Sequence, residues 1–390
     1  MWLFRSGFVL FAYTLIIVYT GIKVRGLVKH FLPSVKSYVF WPVYVIFGYF
    51  YVLVFLLRLD RIWLLRQAAM YSLPLIIYFF LVLLVFDGVW LVLRSKKSVS
   101  LSRWSSAGAA GIALGLAVLA MVYGNFNARN IRTVHYGITL NKAVPGSSGR
   151  EAGLRIALVS DIHIGRTVNR KWVANIVDVV NRTNPDMICI AGDIFDNNIE
   201  MVSDLEGVAE ELRRLNAPLG VYACQGNHDV DRFSLREEGK TDRIKEFLVK
   251  AEINFLLDEV ILVADRFYLA GRRDARLIGG RQTRKSAAEL AAGLDKSKPL
   301  IFMDHQPVDY QSIEETGADL IFSGHTHRGQ FFPGNLATAY IYKKAGAVHY
   351  GYWQGRSAQA LVSSGAGLWG PPIRIATRSE VAVVDVYFSK

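Results

Sequence analysis

The apolar positions of the first third gather into four long runs, at about residues 7–22, 38–57, 70–93 and 107–123. Each is close to the roughly 20 residues that carry an α-helix across a bilayer, which predicts four spanning helices. Residues 2–4 and 122–126 extend the first and last runs. Trp41, Trp90 and Trp104 lie near run ends, as interfacial aromatics do. In the fourth run Ala107, Gly111 and Gly115 recur at four-residue spacing. They read either as a surface for close helix approach or as an ordinary Ala/Gly-rich span. Asp87 lies inside the third run, where a charge is costly. With Gly88 beside it and Arg94 within two turns, it reads as a snorkelling or paired structural acid.

Beyond residue 130 the pattern changes. Val134, Tyr136, Ile138 and Leu140 alternate like a strand over 132–140. A loop with Pro145, Gly146, Ser147, Ser148 and Gly149 follows. Short apolar runs at 154–160, 187–191, 221–225, 300–304 and 320–323 then alternate with helical patterns at 170–182, 201–215 and 287–294. Strands are also predicted at 260–270, 340–348, 360–363 and 381–388. Short apolar strands separated by helices read as an α/β domain. The expected organisation is a membrane region over residues 1–125 and a soluble domain over 126–390.

Charge sharpens that division. The chain has 45 Lys and Arg against 33 Asp and Glu. Residues 1–135 hold fourteen of the basic and only two of the acidic side chains, Asp60 and Asp87. The remainder carries thirty-one of each, so the predicted soluble domain has no net charge. A basic groove is therefore not expected there, nor a nucleic-acid partner. The two cysteines, Cys189 and Cys224, are too few for a disulfide framework or a four-thiolate zinc site, and read as small buried hydrophobes. A single Arg5 and no small-x-small cleavage pattern predict an N-terminus that stays attached. Connections 23–36 and 94–103 share one side of the membrane and carry eight Lys and Arg, against seven on the other. The positive-inside rule then predicts a multi-pass membrane protein with an extracytoplasmic soluble domain.

Candidate chemistry recurs at the ends of five apolar runs. They finish in Asp161-Ile-His163, Gly192-Asp193-Ile-Phe-Asp196, Gly226-Asn227-His228-Asp229, Asp304-His305 and Gly324-His325-Thr-His327. The carboxyl ends of strands form the ligand crevice of α/β sheets. Carboxylate, amide and imidazole ligands suit divalent metals of intermediate hardness. Two ions bridged by a carboxylate lower the pKa of a shared water, neutralise a phosphate and hold it for in-line attack. A nearby histidine can then protonate the leaving oxygen.

As written in this chain, these five segments resemble the calcineurin-like metallophosphoesterases over about residues 130–390. The resemblance implies a metallophosphoesterase β-sandwich of two packed sheets flanked by helices, here preceded by four transmembrane helices. It implies two divalent ions per chain. Asp161, His163, Asp193 and His327 would hold the first, and Asp193, Asn227, His305 and His325 the second. His228 would be the proton donor and Asp196 would orient its ring. Mn²⁺ is favoured by the mixed O/N set without thiolate, with Fe and Zn²⁺ the other candidates.

Asn197-Asn198 after Asp196, and Asp229 after His228, depart from the Ser/Thr phosphatase pattern of this superfamily. The Gly324–Gln330 block, the segment 271–274 and the tail 365–374 look similar to a bacterial, often membrane-associated phosphodiesterase branch. That branch has glycine where this chain has Arg328, which could contact a substrate phosphate alongside Asn227. The aromatics Phe331, Phe332, Tyr340, Tyr342, Tyr350, Tyr352 and Trp353 read either as core or as an apolar wall for an acyl chain or the membrane face. The expected function is membrane-anchored, metal-dependent hydrolysis of a phosphodiester or pyrophosphate, with a lipid-linked substrate in view because of the helices. A non-catalytic metal-binding sensor or scaffold is the alternative. A transporter is disfavoured by the few polar residues within the spans.

Overall fold

A computed structural model describes residues 2–95, 106–144, 153–196, 199–230, 238–275 and 284–389. The predicted loop at 145–149, Trp104, Asn197-Asn198 and most of the 94–103 connection lie outside the described residues. The chain divides into two compact units, one of residues 1–125 with 370–372 and the other of 126–369 with 373–390.

The first unit is helical. It contains α1 (Trp2–Phe31), α2 (Ser37–Gly48), α3 (Phe50–Leu56), α4 (Trp63–Ser95) and most of α5 (Ser106–Arg129). Among the described residues three stretches are long and apolar enough to cross a membrane: Val9–Phe31, Trp63–Leu93 and Gly108–Arg129. The second predicted span is a bent pair, α2 and α3, turned by 61° at Tyr49. Gly48 marks the bend because α1 passes close by: a Cβ there would meet Ile17 at 3.0 Å. The bend frees backbone groups that lipid cannot satisfy. Tyr13 Oη donates to Gly48 O at 2.7 Å and takes up one of them. Asp87 is a paired acid. Lys23 Nζ lies 2.6 and 2.7 Å from its two oxygens, and Tyr19 Oη donates to it at 2.7 Å. The partner comes from α1, not from the next turn of its own helix. A Cβ at Gly111 or Gly115 would meet nothing within 4 Å. Among the described residues no helix packs on Gly111 or Gly115, so within this chain that part of the stripe is an open face.

The second unit holds two six-stranded sheets. The first runs in the order β1 (Arg132–Leu140), β12 (Glu380–Phe388), β2 (Leu154–Val159), β3 (Met187–Ala191), β4 (Val221–Cys224) and β5 (Asn254–Phe255). The second runs β10 (Gly351–Gln354), β11 (Gln359–Val362), β9 (Leu320–Ser323), β8 (Leu300–Met303), β7 (Phe267–Gly271) and β6 (Glu259–Val263). Within the sheets β2, β3 and β4 are parallel neighbours, as are β8 and β9. The helices are α6 (Arg170–Asn181), α7 (Leu205–Arg213), α8 (Glu238–Lys250), α9 (Ala287–Ala291), α10 (Tyr310–Glu314) and α11 (Gly334–Lys344).

Side chains alternate across each strand and so build two cores at once. Ile156, Leu158, Met187, Cys189 and Ala191 face the core between the sheets, together with Ile301, Met303, Leu320 and Phe322. Ala157, Val159, Ile188 and Ile190 face the other way, onto Val173, Ile176 and Val177 of α6 and Leu212 of α7. Phe302 and Ile321 face α9 and α10 through Leu290 and Ile313. This two-faced burial explains why these strands read as unbroken apolar runs. Emptying one such site, as in Leu158→Ala, would cost about 2–5 kcal/mol. Cys189 and Cys224 are free, buried thiols in these strands.

Two expectations are corrected. The predicted strand at 260–270 is the hairpin β6–β7, turned at Ala264 and Asp265 in left-handed conformation. The predicted strand at 340–348 is helical through Lys344, as the end of α11. Tyr340-Ile341-Tyr342 favours a strand locally, but Leu336, Ala337 and Ala339 before it and Lys343 and Lys344 after it favour a helix.

Candidate metal centre

The strand ends converge as the alternation requires. Asp161 and His163 follow β2, Asp193 follows β3, Asn227 and His228 follow β4, His305 follows β8, and His325 and His327 follow β9. Backbone hydrogen bonds lace the loops together. Asp161 N donates to Gly192 O and His163 N to Asp193 O, each at 3.0 Å, and Gly324 N donates to His305 O at 2.9 Å. Asp161, His163, Asp193, His325, His327 and Arg328 all hold left-handed backbone conformations with φ between 48° and 71°. Such strain in non-glycine residues gathers where surrounding structure imposes a side-chain direction. Gly226 and Gly324 permit the close approach. A Cβ at Gly226 would lie 2.1 Å from Asp193 N, and one at Gly324 would lie 2.3 Å from Asp161 Oδ2.

The result is three overlapping groups of ligand atoms, Asp161–His163–His327, His163–Asp193–His228 and Asp193–His305–His325, with Asp193 common to the last two. His163 Nε2 is 2.9 Å from His327 Nε2, and Asp161 Oδ1 is 3.4 Å from His327 Nε2 and 4.0 Å from His163 Nε2. Asp193 Oδ2 is 3.6 Å from His163 Nε2 on one side and 3.2 Å from His305 Nε2 on the other. His325 joins Asp193 and His305, with ligand atoms within 4.8 Å of one another. Two ligand atoms on one ion, each about 2.1 Å away at 90–110°, stand about 3.0–3.4 Å apart. Two of the five spacings, 3.2 and 3.4 Å, fall in that window, and those of 2.9 and 3.6 Å lie just outside it.

Electrostatics agree with a cation. Burial raises the Asp161 carboxyl to about 6 and lowers the His163 ring to about 3, and burial also lowers His327. Two rings that burial keeps neutral thus bring their Nε2 atoms within 2.9 Å of each other. Burial opposes the charge of Asp193 and of His305, yet their mutual attraction wins. It holds Asp193 well below and His305 well above the ordinary range. Ala191 O accepts from His305 Nδ1 at 2.8 Å, which turns Nε2 toward Asp193. Asn227 Oδ1 is buried without a hydrogen-bond partner among the described residues. A buried acceptor with nothing to accept from fits a cation ligand. The residues present therefore fit a metal pair.

His228 shares the middle group with His163 and Asp193, its ring centroid 4.8 Å from that of His163 and its backbone N–H donating to Asp193 Oδ1 at 2.7 Å. Asp196 Oδ1 is 3.8 Å from His228 Nδ1, longer than a hydrogen bond. Arg328 is not among the grouped ligands. Its guanidinium rests 4.1 Å from the Tyr350 ring centroid. The fourth member of Gly-Asn-His-Asp, Asp229, braces the loop by accepting from Gly226 N at 2.8 Å and Phe195 N at 2.9 Å.

Three supports carried no role in the sequence. Buried Arg374 donates to Ser364 O (2.7 Å), Gly367 O (2.9 Å), His327 O (3.2 Å) and Gly365 O (3.3 Å), and so ties the tail to the metal loop. Asp274 accepts twice from Gln306, next to His305, at 2.8 and 2.9 Å. Asp304 accepts from buried Arg272 at 2.8 Å and also from Arg284. Asp304 adjoins His305 in the chain, a signal that could have found it, whereas Arg374 and Asp274 flank no ligand in the sequence.

Residues 154–329 match the family model for calcineurin-like phosphoesterases. Over those residues the chain is similar to the calcineurin-like phosphoesterases. It is 33% identical over 234 residues to an uncharacterized metallophosphoesterase of Helicobacter pylori strain J99, covering 59% of this chain and 58% of that one. It is 32% identical over 277 residues to a transmembrane protein with metallophosphoesterase domain from Danio rerio, covering 69% and 61%. An uncharacterized metallophosphoesterase of Aquifex aeolicus is 28% identical over 276 residues, covering 70% and 97%. The chain thus spans about three fifths of the length of the first two relatives. The domain fold implies a dinuclear divalent metal site, and the His and Asp groups above supply candidate ligands.

Proposed function

We propose that the protein is a membrane-anchored phosphoesterase that hydrolyses a phosphodiester or pyrophosphate bond of a lipid-linked substrate. The observation that carries the reading is Asp193 Oδ2, poised 3.6 Å from His163 Nε2 and 3.2 Å from His305 Nε2. One oxygen facing two imidazole groups is the arrangement a bridging carboxylate needs. In this reading Asp161, His163, Asp193 and His327 hold one ion, and Asp193, Asn227, His305 and His325 the other. Bound ions of this kind supply Lewis acidity, which acidifies a water and neutralises phosphate charge. His228 protonates the leaving oxygen, and Asp196 steadies the charged ring through space. Arg328, resting on the Tyr350 ring, offers a planar donor fork to a phosphate oxygen, and Asn227 is a second substrate contact. The lipid-linked substrate rests on the apolar helices in the same chain, and Mn²⁺ on the thiolate-free donor set.

The test is a hydrolysis screen of the detergent-solubilised full chain with Mn²⁺, over diester, monoester, pyrophosphate and lipid substrates. Metal-dependent cleavage, lost in Asp193→Asn, is the expected result. A fully metal-loaded protein inactive on every class would sink the proposal.

A further inference from the structure

Helix α11 is built inside out. Its outward stripe is Leu336, Ala337, Tyr340, Ile341 and Lys344, of which Leu336, Tyr340 and Ile341 are 58%, 67% and 61% exposed. The half-buried side carries Gly334, Asn335, Thr338, Ala339 and Tyr342. A surface helix of a soluble domain points its apolar stripe inward, and this one does the reverse. Phe332, before the helix, and Trp369 are also exposed. Concentrated apolar exposure of this kind marks an interaction surface.

The helix is fixed to the metal loop. A Cβ at Gly329 would lie 2.4 Å from Asn335 Cα, so the helix start packs directly on the turn after His327. Gln330 donates to Trp369 O and accepts from Trp369 N, both at 2.9 Å. The Trp369 ring centroid in turn lies 6.1 Å from that of His228.

The occupant argued for is a lipid surface. The same chain contains three helices long and apolar enough to cross a membrane, and only Asn130 and Ile131 separate the last of them from β1. The exposed lysines Lys343 and Lys344 end the helix, which suits anionic headgroups. Tyr340 and Trp369 are the aromatic types that settle at the headgroup level. We propose that α11 is an interfacial helix whose Leu336–Tyr340–Ile341 stripe lies in the headgroup–acyl boundary of the bilayer and holds the metal loop at the lipid surface. This goes beyond the phosphoesterase reading and stands if that reading fails.

The test uses the full chain in vesicles of phosphatidylethanolamine and phosphatidylglycerol. Leu336→Cys and Ile341→Cys are labelled with a fluorophore, and lipids with nitroxides at shallow depth serve as quenchers. Val249→Cys on α8, at a position 68% exposed, is the control. Native Cys189 and Cys224 are buried and stay unlabelled. Quenching at both α11 sites at least about threefold above the control is expected for a stripe in the boundary layer. Quenching no greater than at Val249 overturns the proposal. So does contact between labelled copies that rises with protein-to-lipid ratio without lipid quenching, which would assign the stripe to a second copy. The readout is position alone, so an enzyme inactive on every ester still gives an answer.

Discussion

His228 and His305 are both imidazoles at strand ends, and their surroundings set them apart. His305 is locked by Ala191 O and drawn to Asp193, whereas His228 is held by its backbone and keeps its ring at the rim beside Trp369. His228→Ala is therefore expected to retain metal and fold while lowering turnover at least about a hundredfold, the scale of general acid catalysis. The loss should shrink for nitrophenyl esters, whose leaving groups need no proton. Equal losses for good and poor leaving groups would rule out the donor role. His305 makes a different prediction. Its folded pKa is raised by Asp193, so near neutral pH it carries a proton that a metal must displace. Binding of Mn²⁺ should release protons, and affinity should rise with pH through that range. Calorimetry in buffers of differing ionisation enthalpy reads the release directly, and a zero proton count would contradict the assignment of His305 as a ligand.

At the scale of elements, what could be read in advance was what is local in the chain. Each candidate ligand follows its own strand within a few residues, so five short segments announced the site before any contact was known. The strands were legible because both of their faces are buried. Arg374 was not, because its acceptors lie at 327 and 364–367, and only the fold brings them to one guanidinium. The hairpin at Ala264 and Asp265 was missed since its one turn-forming residue, Asp265, stands without Gly, Pro or Asn beside it, and α11 was missed since three β-prone residues outweighed their helical neighbours in a short window. Arg374 also gives a test of how strongly the elements depend on one another. Burial lowers its guanidinium to about 10, so it stays charged at neutral pH and is fully enclosed. Arg374→Met leaves the carbonyls of His327, Ser364, Gly365 and Gly367 without this donor. A loss of about 3 kcal/mol or more is expected, with weaker metal retention. Thermal unfolding with and without Mn²⁺ measures both, and an unchanged midpoint would remove Arg374 from this role.

For the whole molecule, the side of the membrane that carries the metal centre turns on the bent pair α2–α3. If the pair crosses, the chain crosses four times, and the two connections on one side carry eight Lys and Arg against seven. If it re-enters, there are three crossings. Residues 23–36, 58–66 and 129–142 then share a side with ten basic residues against five, and the positive-inside rule places the second unit in the cytoplasm. A bent pair of this kind fits either a broken span or a re-entrant loop, and the size of the bend favours the broken span. A re-entrant segment must turn back on itself, well beyond a right angle, and this pair turns by 61°. Its arms of 12 and 7 residues, about 18 and 10 Å long at 1.5 Å per residue, keep a forward component through the bend. Four crossings and an extracytoplasmic second unit are the expected outcome. An alkaline phosphatase fused after Lys390 should be active, and a green fluorescent reporter at the same place dark. The opposite pair of signals would make α2–α3 re-entrant and put the metal centre on the side where nucleotide-linked lipid precursors are made.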